Sequence, residues 1–154
     1  MRLWAALYSA IWVVLLEFLL AMIPQGHSFL IYLHGALGFV ILVIAYYNFH
    51  ALRETAVPGR VKRTASATFY LAILMCILGP LIFFDVGTGW TVFYGLTVWN
   101  GLVLLHVVNA FAIITQMAAV AIVYDMWEEK EFLQETRPGE VLPAMEVPRS
   151  RSGP

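Results

Sequence analysis

The sequence predicts an all-α fold, an integral membrane four-helix bundle with both termini cytoplasmic and the fourth helix extending into the cytoplasm. Three observations predict it. Four apolar stretches each reach the length of about 17–25 residues needed to cross a hydrocarbon core of ~30 Å. All nine Lys and Arg fall on one side of the resulting topology. The few ionisable residues inside the apolar stretches agree in depth. Composition agrees: 61% of the 154 residues are hydrophobic and 12% charged, where a soluble domain carries about 25%. The mean hydropathy of +0.79 comes from continuous apolar runs rather than from a periodic face, which favours spans over a soluble core.

Taken in order, the spans are about 3–23, 29–52, 67–84 and 98–124. The first stops at Pro24. It is too long for a signal-peptide core and no small-residue cleavage site follows, so it is read as a permanent helix. Pro24-Gln25-Gly26-His27-Ser28 reads as a tight turn, and 53–66 as a loop punctuated by Pro58-Gly59. The stretch from Thr91 reads as an apolar lead-in to the fourth span. Beyond Tyr124 the pattern turns charged, with Asp125, Glu128, Glu129, Lys130 and Glu131, and the helix is expected to continue to about Glu135. Residues 1–135 thus form the bundle, and 136–154, with Pro138, Pro143, Pro148 and Pro154, read as a flexible cytoplasmic tail.

Arg2, Arg53, Arg60, Lys62, Arg63, Lys130, Arg137, Arg149 and Arg151 set the orientation: the positive-inside rule puts their side in the cytoplasm. Trp4, Tyr124 and Trp127 then fall at the inner interface and Trp90 at the outer one. The lone Cys76 excludes an internal disulfide and a CxxC site. Pro80, after Gly79, is expected to kink the third helix.

Ionisable residues at membrane depth are functional hypotheses. Glu17 lies about 9 Å below the outer end of its helix, His34 about 8 Å and His106 about 12 Å, at 1.5 Å per residue. Asp85 stands at the outer mouth of the third span. At 100° per residue, Glu17 shares a face with Ala6, Ala10, Val13 and Ala21. His34 shares one with Gly38, Ile41, Ala45 and Asn48, and His106 with Asn109, Ile113, Gln116 and Val120. These small or polar faces are expected to point inward, giving a bundle polar inside its outer half and mostly apolar inside its inner half. His50 lies on another face near the cytoplasmic end and His27 in the outer turn.

Two neutral imidazoles from different helices suit the axial ligation of a b-type haem held in a bundle core. His34 and His106 are the only deep pair, with Gly35 and Gly38 leaving room for a flat ring. Glu17, Asn109 and Asp85 are candidates for orienting an imidazole or carrying protons, with quinone as a partner. On its four spans and on His34 and His106, the chain resembles small four-helix membrane b-type cytochromes, although it lacks the second histidine pair of two-haem types. The resemblance implies an electron-transfer subunit within a larger respiratory or redox complex. A second reading uses Glu17, His34 and His106 as ligands for copper, zinc or iron. A third makes the chain a cofactor-free accessory subunit, with Asn100, turned away from the His106 face, meeting a partner helix. The lipid bilayer and other membrane subunits are the expected partners. There is no nucleic-acid motif, phosphate loop or nucleophile–base pair, so independent catalysis is not expected.

Overall fold

The computed structural model describes residues 3–23 and 28–136. The expected turn with His27, and the expected tail from 137 onward, lie outside the described residues. The elements are α1 (Leu3–Met22), α2 (Ser28–Arg53), α3 (Gly59–Phe83), β1 (Thr91–Phe93), β2 (Leu96–Thr97) and α4 (Val98–Thr136). α1, α2 and α4 start within a residue of the expected positions. α3 begins eight residues before the expected 67, and the expected loop 53–66 shrinks accordingly.

The early start of α3 has a packing cause. Val57 and Val61 are buried with Leu7, Leu52, Ala65, Val120, Ala121 and Tyr124. The turn between α2 and α3 is therefore part of the core, and a short connection is enough. Lys62 makes the tight turn tolerable: its Nζ donates to the carbonyls of Arg53 at 3.1 Å and Thr55 at 2.6 Å. The first ends α2, where a cation is favoured by the helix dipole, and the second belongs to the turn that follows. Pro58 precedes the first helical residue, where its missing N–H costs nothing.

Each helix packs on its chain neighbours, and α4 closes the ring against α1. α1 is therefore diagonal to α3, and α2 to α4. A second buried layer, Ala10, Val14, Ile41, Ala45, Ala72, Ile113 and Met117, lies next along the bundle. Its residue numbers rise in α1 as they fall in α2, the signature of antiparallel up-and-down helices. The alanines bring the backbones close, the usual device where no water drives association. One end of the bundle carries Arg53, Arg60, Lys62, Arg63, Asp125 and Lys130; the other, at Met22, Ser28, Phe83 and Val98, carries Asp85 alone among the described residues.

Among the described residues four helices have apolar windows of mean hydropathy 1.9 to 2.2, of which only 11% to 33% is buried inside the bundle. The apolar surface left over faces outward, and only lipid satisfies so much of it. The chain is an integral multi-pass membrane protein.

α3 continues through Pro80 to Phe83. Its end is a Schellman turn: Val86 N–H bonds Leu81 O at 3.0 Å and Asp85 N–H bonds Ile82 O at 3.1 Å. Asp85 takes the left-handed position at φ 53°, a place usually filled by Gly or Asn. The expected apolar lead-in at Thr91 is instead a hairpin. Thr91 pairs with Thr97 and Phe93 with Leu96, around Tyr94 (φ 45°) and Gly95 (φ 80°). Two successive positive φ values match the right-handed twist of a two-residue hairpin. α4 then opens on a capping box. Asn100 N–H donates to Thr97 Oγ1 at 3.3 Å, and Asn100 Oδ1 accepts from Thr97 N–H at 2.9 Å. The 39 residues of α4 span about 58 Å, so the helix projects well past the bilayer at the charged end.

Candidate functional site

Sequence faces and burial agree on which way the helices point. Ala6 and Ala10 of α1, Ile41, Ala45 and Asn48 of α2, and Asn109, Ile113 and Val120 of α4 are all buried. Each shares its helix face with Glu17, His34 or His106. Among the described residues, the buried apolar residues of α1, α2 and α4 stop at Val14, Ile41 and Ile113. The space beyond, toward the uncharged end, is where the ionisable residues stand. They have an apolar floor beneath them and, among the described residues, no closed layer of buried apolar side chains from these three helices above.

His34 and Glu17 meet there. Nδ1 of His34 lies 3.1 Å from Oε1 of Glu17, with 29% and 12% of the two side chains exposed. The contact has the distance of an ion pair without the alignment of a hydrogen bond. A carboxylate and an imidazole set together give each other a polar partner at a depth where lipid offers none. Gly38, one turn along α2, lies beside the carboxylate: a Cβ there would stand 3.6 Å from Glu17 Oε1, in ordinary van der Waals contact, and a longer side chain would meet it. The room at Gly38 is thus used by the carboxylate. Gly35 is exposed on the outside of α2 and lines no interior slot, contrary to the expectation from sequence.

His106 completes the group from the opposite corner. Its ring centre is 6.2 Å from that of His34, with the planes at 50°. Because α2 and α4 are diagonal, the two rings face each other across the bundle axis rather than along one wall. The Phe18 and Phe111 rings, 5.3 Å apart, pack α1 against α4. Three polar atoms of the group, Oε2 of Glu17 and Nδ1 of both His34 and His106, are buried without a hydrogen-bond partner among the described residues.

Comparison with known protein families, curated proteins and solved structures found no match to this chain. The reading of the site therefore rests on its own geometry.

The remaining candidates are placed elsewhere. Asn109 donates from Nδ2 to the Leu71 carbonyl at 2.9 Å, so its amide ties α4 to α3 instead of steadying an imidazole. Asp85 is exposed and serves the end of α3 through its backbone. Asn100, expected to meet a partner helix, caps α4. His50 is exposed and faces Glu54 at 3.7 Å, a surface position as its helix face implies. Among the described residues no three His, Cys, Asp or Glu are gathered closely enough to hold a metal ion.

The charged half of the bundle is less apolar inside than the sequence suggests. Thr68, 4% exposed, lies within hydrogen-bond reach of Thr64 O at 2.9 Å and Gln116 Oε1 at 3.0 Å. With one proton it donates to one of them at a time. Asn48, 6% exposed, has a buried Oδ1 without a partner beside a cavity of about 10 Å³ that Thr68 also lines. That volume approaches the space one water needs. Threonine is too nearly neutral in hydropathy to have marked this second polar layer. Only its place on the α3 face shared with Val61, Ala65 and Ala72 would have revealed it.

Proposed function

We propose that this protein is a membrane-embedded electron-transfer subunit that binds one b-type haem between α2 and α4, with His34 and His106 as the residues that would hold its iron. The observation that carries the proposal is the pair of imidazoles from diagonal helices, 6.2 Å apart across the bundle axis. That spacing leaves room for an atom held between one nitrogen of each ring. The residues fit the group in two further respects. Glu17 stands 3.1 Å from Nδ1 of His34, so Nε2 is the nitrogen that would ligate, and alignment of that contact into a hydrogen bond would give the carboxylate–histidine arrangement that raises ligand basicity. His106 has a buried nitrogen with no other partner.

Haem so held supplies reversible one-electron transfer. The chain does the rest. Glu17, against the ring, would help hold the orientation of His34. The apolar floor of Val14, Ile41, Ala72 and Ile113 separates the site from the charged end. The orientation inferred from the basic residues puts both termini in the cytoplasm and the site in the outer half of the bilayer. A cysteine at exposed Arg60, labelled from the cytoplasmic side only, tests that orientation; labelling from outside overturns it.

The test of the cofactor is titration of the purified protein with haem. One equivalent per chain, with a sharp Soret band, is expected. A folded protein that stays colourless overturns the proposal. A second reading, a cofactor-free accessory subunit, is favoured by the long charged end of α4, a natural element for docking in a larger complex. It predicts co-migration with larger partners at fixed stoichiometry in mild detergent, and no haem.

A further inference from the structure

The connection between α3 and α4 exposes more large apolar surface than a water-facing loop tolerates. Trp90 is 68% exposed, Val92 70%, Phe93 64% and Tyr94 91%, and the end of α3 adds Phe84 at 74%. No Asp, Glu, Lys or Arg occurs from Val86 through Tyr124. A patch of this kind is covered by something in the native setting.

We infer that the β1–β2 hairpin lies in the interfacial layer of the bilayer at the uncharged end of the bundle, with lipid headgroups and upper acyl chains covering its aromatic face. Three observations lead to lipid as the occupant. The first is span length. From Arg63 to Phe83 α3 rises about 30 Å, the thickness of the hydrocarbon core. With Arg63 at one edge, Phe83 stands at the other, and the hairpin begins just beyond it. The second is continuity: Phe83 and Phe84 join the lipid-facing side of α3 to Trp90 and Phe93 without a charged residue except Asp85. The third is the hairpin backbone. An isolated two-stranded sheet has two edges whose outward N–H and C=O groups need polar company that hydrocarbon does not offer, while the side chains are unsuited to bulk water. The interface alone satisfies both, and it is the layer that Trp and Tyr prefer.

The hairpin is held for this by its base. Val98 N–H bonds the Trp90 carbonyl at 2.9 Å, and Trp99 Nε1 donates to the Ile82 carbonyl at 3.3 Å. The strands are thereby fixed to the ends of both helices, and the hairpin anchors the α3–α4 pair at that surface. The inference rests on the four spans and is independent of any haem.

Its test places a single environment-sensitive fluorophore on the hairpin, at Val92→Cys in a Cys76→Ala background, with Leu96→Cys as a second site should the first fail to fold. The full-length protein is reconstituted in phosphatidylcholine–phosphatidylglycerol vesicles. The expected result is blue-shifted emission, quenched by spin-labelled lipid with the label near the headgroup more than by mid-chain label, and little quenched by aqueous iodide. Water-like emission quenched by iodide overturns the inference. So does protection from both quenchers accompanied by cross-linking between copies, which makes a second chain the cover.

Discussion

Substitutions at Gly38 test which group uses the space beside the paired side chains of Glu17 and His34. Sequence reasoning treats its missing side chain as space for a flat cofactor ring. The structure gives that space to Glu17, whose Oε1 would stand 3.6 Å from a Cβ at position 38. That is ordinary van der Waals contact, so Gly38→Ala fits without displacing the carboxylate. It also removes backbone freedom from the unfolded chain, and a gain of about 0.4–1 kcal/mol is expected. Gly38→Leu cannot be accommodated while Glu17 remains against His34, and overpacking of this kind costs about 1–3 kcal/mol. The assay is thermal unfolding in detergent, read in parallel with haem content. Gly38→Ala is expected to keep both at or above the unsubstituted protein, and Gly38→Leu to lose both. Loss of haem in Gly38→Ala with the fold intact would show that the bare glycine serves the cofactor, and would refute the assignment of that space to Glu17.

Other outcomes follow from single contacts. Asn109→Ala loses one interhelical hydrogen bond and is expected to destabilise the bundle by about 0.6–1.7 kcal/mol, measured by unfolding in mixed micelles. Thr97→Ala removes half of the capping box and should cost about 0.5–2 kcal/mol, visible as faster hydrogen exchange at the start of α4. Gly87 and Gly95 both have positive φ, 82° and 80°, but a Cβ at Gly87 would lie 2.7 Å from Val98 Cβ whereas Gly95 has open space. Gly87→Ala is therefore expected to lower the unfolding temperature clearly more than Gly95→Ala; equal effects would mean that backbone strain alone matters at the hairpin base.

The four spans were legible because lipid-facing helices are apolar all round, so length alone marks them. The start of α3 was hidden by the cluster Arg60, Lys62 and Arg63, which reads as loop by composition. It forms helix because Val57 and Val61 have a core to enter and Lys62 can reach the carbonyls at the end of α2. The hairpin was hidden because Tyr94 occupies a left-handed position normally given to Asn, Asp or Gly, leaving Gly95 as the lone turn signal within an apolar run. Depth and helical face were enough to bring Glu17, His34 and His106 to one level and turn them inward. They could not distinguish neighbours from diagonals, and it is the diagonal placement of α2 and α4 that sets the histidine rings opposite each other. Asn109, Asn100 and Asp85 could not be assigned from sequence, since a polar side chain near a site serves equally well to tie helices or to cap them.

The central claim is most directly tested by the dithionite-reduced minus oxidised absorption spectrum of the haem-loaded protein beside its His34→Ala, His106→Ala and His50→Ala variants. The account predicts Soret and α bands in the unsubstituted protein and in His50→Ala, whose side chain is on the surface, and loss of the native bands in each of the other two. Unchanged bands in His34→Ala or His106→Ala, or equal loss in all three variants, would contradict it.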